Sequence, residues 1–345
     1  STPLYSSAAS DVYKRQPIYY PSAKPHMGHA YSSIIADFFA RLKRIQGFNV
    51  YFLTGTDEHG QKIQRAAEEK KMDPLLFCDE ISKTFRDLSD TLNLSNNDFI
   101  RTTEPRHAKS VENLWNILEK KGEIYLSKYS GWYSVSDEAF YTESEIEDLD
   151  GVKKAITSGS KVEWVEEESY FFRLSNWQDK LTEFYDKNPE FILPETRKNE
   201  VVSFVKSGLK DLSVSRKSFN WGIKVPSNKD HVIYVWLDAL TNYLSALNYP
   251  NESDDLYKSF WPADLHLIGK DILRFHAIYW PAFLLAADIN PPKRVFGHGW
   301  ILSGDEKMSK SKGNILDPLE IIDTCLLYTS PSPRDLSTSR MPSSA

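Results

Sequence analysis

The chain has 345 residues, 41% of them apolar, and a formal net charge of −6 at neutral pH. That length supports a sizeable core and two domains, and the negative balance excludes a generally basic nucleic-acid coat, so any contact with a polyanion must be a local positive patch. Its two cysteines, Cys78 and Cys325, lie far apart, which excludes a disulfide framework or a cysteine zinc knuckle and points to a reducing compartment. No apolar run reaches the roughly 18–20 residues of a membrane span.

Both ends read as foreign to the rest. Residues 1–16 and 324–345 are Ser-rich or Ser/Pro-rich and lack apolar periodicity, so they are expected to be fusion-derived, or at the start the remnant of a transit peptide. From Tyr31 to Gln46 the residues Ile34, Ile35, Phe38, Phe39, Leu42 and Ile45 recur at helical spacing before Gly47, which predicts a helix that buries this stripe. "NVYFLTGTDEHG" then predicts a short strand and turn, followed by a polar helix from Gln61 to about Lys71. This rhythm argues for a parallel sheet, with ligands beyond the carboxyl ends of its strands, where "SAKPHMGH" and "TGTDEHG" fall.

From 119 to 228 the texture becomes aromatic, alternating and hairpin-like, as in "GEIYLSKYSGWYSVSDEAFY" and "KVEWVEEESYFFRLS". We read this as an inserted mixed α+β domain between two halves of the sheet, 17–118 and 229–323. The α/β rhythm resumes with "HVIYVWLDALTNYLSAL" and "DLHLIGKDILRFHAIYWPAFLLAA". There is no internal repeat.

Two motifs carry chemistry. In "PHMGHAY", His26 and His29 flank Gly28 at the start of the predicted helix. Such a pair suits a polar helix cap, a share in a zinc site, or phosphate binding at a helix N-terminus, where unpaired N–H groups and the positive dipole end meet the ligand. In "EKMSKSKGN", Lys307, Lys310 and Lys312 lie on a Ser/Gly-rich loop, either as solvated charges or as mobile point charges against a polyphosphate. A specified "KMSKS" arises by chance on the order of once in millions of start positions. Behind an HxGH pattern it favours phosphate chemistry. Neither GxGxxG nor GxxxxGK[ST] occurs, which disfavours a dinucleotide dehydrogenase or a Walker-type NTPase.

With "HMGH" (His26 to His29) and "KMSKS" (Lys307 to Ser311), the chain resembles the class I aminoacyl-tRNA synthetases. More narrowly it resembles the methionyl-tRNA synthetases, through "PIYYPSAKPHMGHAY", "FLTGTDEHGQKIQRAA", "DFIRTTEPRH", "YVWLDALTNYLSAL", "LIGKDILRFHAIYWPAFLLAA" and "KMSKSKGNILDP". The resemblance covers 17–323 and implies a Rossmann-like (HUP) parallel-sheet catalytic domain split by a connective-peptide insertion. It implies ATP-dependent activation of methionine to methionyl-adenylate, with Mg²⁺ accompanying the nucleotide, and then transfer to tRNA(Met).

Residue by residue, the resemblance assigns His26, His29, Lys307 and Lys310 to phosphate charge in the transition state. Gly28, Gly269, Asp271, His298 and Ile301 join them in ATP binding; for Asp271 a helix N-cap and for His298 a buried hydrogen-bonded role are competing readings. Asp57 would hold the amino acid's ammonium, and Ile18, Tyr20, Trp236, Ala239, Tyr243, Ile272 and His276 its side chain. Without the resemblance, these apolar positions read as plain core.

Three features depart from the family. Many members carry a cysteine zinc knuckle where this chain reads "WYSVSDEAF" and "SGSKVEW", so no structural zinc is expected and the zinc-less mitochondrial branch is the better match, with the bacterial cytoplasm as the other placement. Arg15 and Gln16 replace a short Thr-rich start before "PIYY", which leaves the first strand in doubt. After "NILDPLEIID" the family continues into a stem-contact region and a bundle that reads the CAU anticodon; neither fits in the remaining residues, so tRNA charging is expected to be lost. A monomer is expected. The competing functions are a catalytically silent binding fragment and another HxGH nucleotidyltransferase.

Overall fold

The computed structural model describes residues 11–15, 18–137, 139–149, 151–299, 302–303, 306–307 and 317–324. In chain order its first half comprises β1 (Asp11–Arg15), α1 (Met27–Ile45), β2 (Asn49–Thr56), α2 (Gln61–Glu69), α3 (Pro74–Thr91), β3 (Asp98–Arg101) and α4 (Pro105–Lys120). A hairpin-rich region follows, with β4 (Ile124–Ser134), β5 (Ala139–Tyr141), β6 (Ile146–Leu149), β7 (Val152–Ala155), β8 (Glu163–Phe172), α5 (Gln178–Lys187), β9 (Ile192–Leu193), α6 (Glu195–Lys206), β10 (Leu212–Ser213), β11 (Ser215–Arg216), β12 (Lys224–Val225) and β13 (Asn228–Ile233). The chain then forms α7 (Val235–Ser245), α8 (Asp255–Phe260), β14 (Leu265–Gly269), α9 (Trp280–Ala286), β15 (Val295–His298), β16 (Leu302–Ser303), β17 (Glu306–Lys307) and α10 (Pro318–Thr324).

Six strands make one sheet in the order β3-β2-β1-β14-β15-β9, and every neighbouring pair is parallel. β2 is buried at every position from Val50 onward except the half-buried Tyr51, as expected of a central parallel strand covered on both faces. The expected Rossmann-like α/β fold is present. β1 corrects the boundary drawn at residue 16. Asp11–Arg15 lies between β2 and β14, with Val12 opposite Val50 and Lys14 opposite both Phe52 and Leu265. Strand pairing uses backbone N–H and C=O groups, and through them this segment completes the sheet.

The helix after it begins earlier than its apolar pattern suggests, at Met27, and ends before Gly47, whose φ of +86° suits a C-terminal stop. Its buried face is the opposite of the expected one. The buried positions are Ala30, Ser32, Ser33, Ala36, Asp37 and Ala40, whereas Ile34 is 42%, Phe38 61% and Ile45 84% exposed. Small side chains let the helix lie close against β2 and β14, where Ala36 and Ala40 meet Val50, Phe52 and Leu267. Of the Ile/Phe stripe only Ile35 packs against that cluster among the described residues, while Ile34, Phe38 and Ile45 are exposed.

The 119–228 segment forms a four-stranded antiparallel sheet, β10-β8-β4-β5, and supplies β11 and β12 to a three-stranded one, β11-β13-β12, whose central strand runs on to Ile233. It is tied to the rest of the fold in two ways. β9, inside it, returns to the parallel sheet and pairs with β15, Ile192 opposite Val295. Its apolar residues also share one core with both halves, running from Trp115 on α4 through Phe172 and Tyr185 to Ile268 and Phe283. The two stretches matched to a zinc knuckle are joined by the Asp137 carboxylate, which accepts hydrogen bonds from Ser158 and Ser160.

Candidate functional site

The N-terminus of α1 faces the carboxyl ends of the strands, and its first turn is built by the two histidines. His26 is the N-cap, with φ −131° and ψ 173°, and its Nδ1 accepts from the Gly28 N–H at 3.1 Å. His29, at the third helical position, accepts at Nδ1 from the His26 N–H at 3.1 Å. This is a capping box with imidazoles where Ser and Glu usually stand. The rings stack with centroids 3.8 Å apart. Because each Nδ1 is an acceptor, the neutral ring carries its proton on Nε2. Behind them, Tyr19 packs edge-on against His29 and donates to its carbonyl oxygen, and Phe85 stacks on Tyr19 and meets the same imidazole edge-on. The cap and phosphate readings of the motif are thus compatible: the cap occupies Nδ1 and fixes the tautomer.

Gly28 has a local explanation that the sequence did not supply. A Cβ there would lie 2.9 Å from Cε1 and 3.0 Å from Nδ1 of His26, so the residue must be glycine for His26 to cap the helix as it does.

The nucleotide candidates meet at the ends of β14 and β15. A Cβ built on Gly269 would sit 3.7 Å from Asp271 Oδ2 and 3.7 Å from His298 Cε1. Asp271 is exposed and lies within the one-turn 3₁₀ helix Lys270–Ile272, whose N-cap is Gly269. His298 is half-buried and bridges two elements: Nδ1 donates to the Gly299 carbonyl at 2.8 Å, and Nε2 meets Ser32 Oγ on α1 at 2.8 Å. Ile301 and Lys310 lie outside the described residues. Lys307 is placed by its backbone alone, opposite Leu302 in the β16–β17 hairpin.

All eight residues assigned to the amino acid line one cavity of about 230 Å³: Ile18, Tyr20, Asp57, Trp236, Ala239, Tyr243, Ile272 and His276. They come from separate stretches of chain. Trp236 stacks face to face on Phe275, ring centroids 3.3 Å apart and planes 8° from parallel. Phe275 opens a π-helical turn, Phe275–Tyr279, at the start of the helix that carries Pro281; such turns recur at functional sites. His276 donates from Nδ1 to the Ile272 carbonyl at 2.9 Å and accepts at Nε2 from the Tyr243 hydroxyl. Two polar groups in an apolar wall thus satisfy one another.

Sequence reasoning missed the groups that hold Asp57 in place. Asp57 is buried at the end of β2, and both residues after it are pinned. The Glu58 carboxylate accepts from Thr56 Oγ1 at 2.7 Å, Arg101 Nε at 2.7 Å and Thr103 Oγ1 at 2.6 Å. His59 Nδ1 and His107 Nε2 each lie 2.7 Å from a different oxygen of Asp238. Asp238 is fully buried. Burial by itself would raise its pKa, but the charge and hydrogen bonds of the two histidines outweigh that and bring it down to about 2. This carboxylate ties the Asp57 loop to α4 and α7, and the cavity-facing side of α7 bears Trp236, Ala239 and Tyr243. "TDEHG", "EPRH" and "WLDAL" contain these residues, but nothing in their spacing says that they meet. Lys62, Ser136, Asp137 and Asn242 also line the cavity unforeseen.

A family model described as "tRNA synthetases class I (M)" matches residues 13–152 and 147–329. The chain belongs to that family. The methionine--tRNA ligase of Rickettsia conorii is 58% identical over 311 residues, covering 90% of this chain and 60% of that protein. Methionine--tRNA ligase 1 of Bacillus cereus is 55% identical over 318 residues, covering 90% of this chain and 48% of its own length. Among solved structures, Mycobacterium tuberculosis methionyl-tRNA synthetase bound by methionyl-adenylate superposes with a TM-score of 0.89 at 50% identity, over 91% of this chain and 62% of that one. This family member thus spans about half to three-fifths of the relatives it matches. Those relatives are bacterial, which lends the mitochondrial expectation no support.

Proposed function

We propose that this chain activates L-methionine with ATP, giving methionyl-adenylate and pyrophosphate, and that in the complete protein the methionyl group passes to tRNA(Met). The observation that carries this reading is the cavity: an apolar pocket with the Asp57 carboxylate on its wall suits an α-amino acid with an unbranched, polarizable side chain. The Mycobacterium relative, solved with methionyl-adenylate, supports it.

In this reading Asp57 holds the ammonium as a charge-assisted pair. Trp236, supported by Phe275, packs against the thioether with Tyr20 and Tyr243, because sulfur is well accommodated at aromatic edges. The substrate carboxylate attacks the α-phosphorus in line, which requires positioning and charge stabilisation but no protein nucleophile. His26 and His29 donate from Nε2 to phosphate oxygens, while Gly269, Asp271, His298 and Ile301 hold the nucleoside. Lys307 and Lys310 supply charge from the KMSKS loop. Mg²⁺ would arrive on the phosphates and be held mainly by them and by water. That cation would neutralise phosphate charge. The placement that goes with these relatives is the bacterial cytoplasm.

Exchange of labelled pyrophosphate into ATP tests the reading. Exchange that depends on methionine and is absent with leucine or isoleucine supports it. A folded protein that exchanges with no amino acid overturns it in favour of a silent fragment.

A further inference from the structure

The cavity is not built by the parallel sheet and its helices alone. Ser136 and Asp137, in the turn between β4 and β5 of the hairpin-rich region, contribute to its lining. The β4–β5 pairing ends at Ser134 and Ala139, so the turn between them is held by side chains and not by the strand ladder.

Asp137 supplies the missing restraint. Its Oδ2 accepts from the Tyr141 hydroxyl at 2.7 Å, across the β4–β5 hairpin, and from Ser158 Oγ at 2.6 Å. Its Oδ1 accepts from Ser160 Oγ at 2.9 Å, and its backbone N–H donates to Ser134 Oγ at 3.2 Å. Ser158 and Ser160 belong to the loop between β7 and β8, so one carboxylate joins two separate hairpin connections. Hydrogen bonds to an ionised acceptor are the strong class. Burial, and then the Asp137 hydrogen bond, raise the Tyr141 pKa to about 12, so this donor keeps its proton throughout the physiological range.

We propose that Asp137 is a positioning residue: by clamping the β4–β5 turn to the β7–β8 loop, it sets how closely that turn closes over the amino-acid cavity, and so makes the inserted region part of the selection for methionine. The proposal rests on the cavity being the methionine site. Its distinguishing property is that the clamp acts on amino-acid binding and leaves the nucleotide, at the ends of β14 and β15, largely unaffected.

The test uses the full chain, with methionine binding measured by calorimetry and both substrates' KM by pyrophosphate exchange. Asp137→Ala should raise the Kd and KM for methionine roughly tenfold, keep the KM for ATP within about twofold, and raise the relative kcat/KM for ethionine, which is one methylene longer. Asp137→Asn keeps one acceptor and should lie between wild type and Ala. The double variant Ser158→Ala/Ser160→Ala removes two donors without touching the cavity lining; it should shift methionine binding in the same direction, and it serves where Asp137→Ala does not fold. Unchanged methionine binding in these variants, or equal losses for methionine and ATP, overturns the proposal. So does an effect confined to Asp137→Ala, which would mean direct contact rather than positioning. If wild type binds no methionine, the functional reading fails as well; normal wild-type binding with unaffected variants removes the clamp alone.

Discussion

The His29 imidazole accepts the His26 backbone N–H while the His26 imidazole caps the same turn, so the two residues hold each other in one geometry. Asn is a good N-cap and Gln a good partner at the third helical position. His26→Asn and His29→Gln should therefore keep thermal stability close to wild type, while pyrophosphate exchange falls by roughly 10²–10³, the usual effect of removing one donor to developing charge. Loss of stability in proportion to activity would reduce the histidines to a cap.

Gly28→Ala separates the same two effects by another route. Alanine gains roughly 1 kcal/mol of helix propensity, and displacing the His26 ring from its cap loses about as much. The melting temperature should move little while exchange activity falls sharply, because the new methyl group occupies the space of the ring.

Asp57→Ala should mainly weaken methionine binding and leave ATP affinity nearly unchanged. Lys310→Ala should do the reverse of a binding defect, slowing adenylate formation far more than it weakens methionine. Separate Kd measurements and single-turnover rates distinguish the two. Equal losses of binding and rate in the lysine variant would count against its place in the transition state.

Asp238→Asn removes a buried carboxylate that serves two imidazoles, and breaking such a pair costs roughly 3–5 kcal/mol. Its pKa in the folded chain, about 2, lies below the unfolded value of roughly 3.9. Its stabilising contribution is therefore complete above pH ~4 and is lost as the pH falls from about 4 towards 2. The gap between the denaturation midpoints of wild type and variant should narrow as the pH falls through that acid window. A gap unchanged down to pH 2 would show that Asp238 carries no charge linkage.

Phe38→Ser tests which face of α1 is buried. At 61% exposure, Phe38 should tolerate the change within about 0.5 kcal/mol, with improved solubility. In the core, the same replacement would cost several kcal/mol. A large drop in melting temperature would mean that the helix packs the other way round.

The sequence by itself determined the family that the chain resembles. "KMSKS" is a rare string and it follows an HxGH pattern, so the family, the α/β class and, from periodicity, the extents of α1 and α2 were largely legible. Periodicity told which residues of α1 share a stripe but not which stripe meets the sheet. That was decided by how closely Ala36 and Ala40 let the helix approach β2, a matter of packing rather than hydrophobicity. The resemblance groups Ile18, Asp57, Trp236 and His276 in one site, but only the tertiary structure shows the cavity they line, because contacts between distant stretches leave no local spacing to read. The same holds for Asp238 between His59 and His107, for Asp137 between two hairpin connections, and for β1, whose place between β2 and β14 depends on backbone pairing rather than side-chain identity.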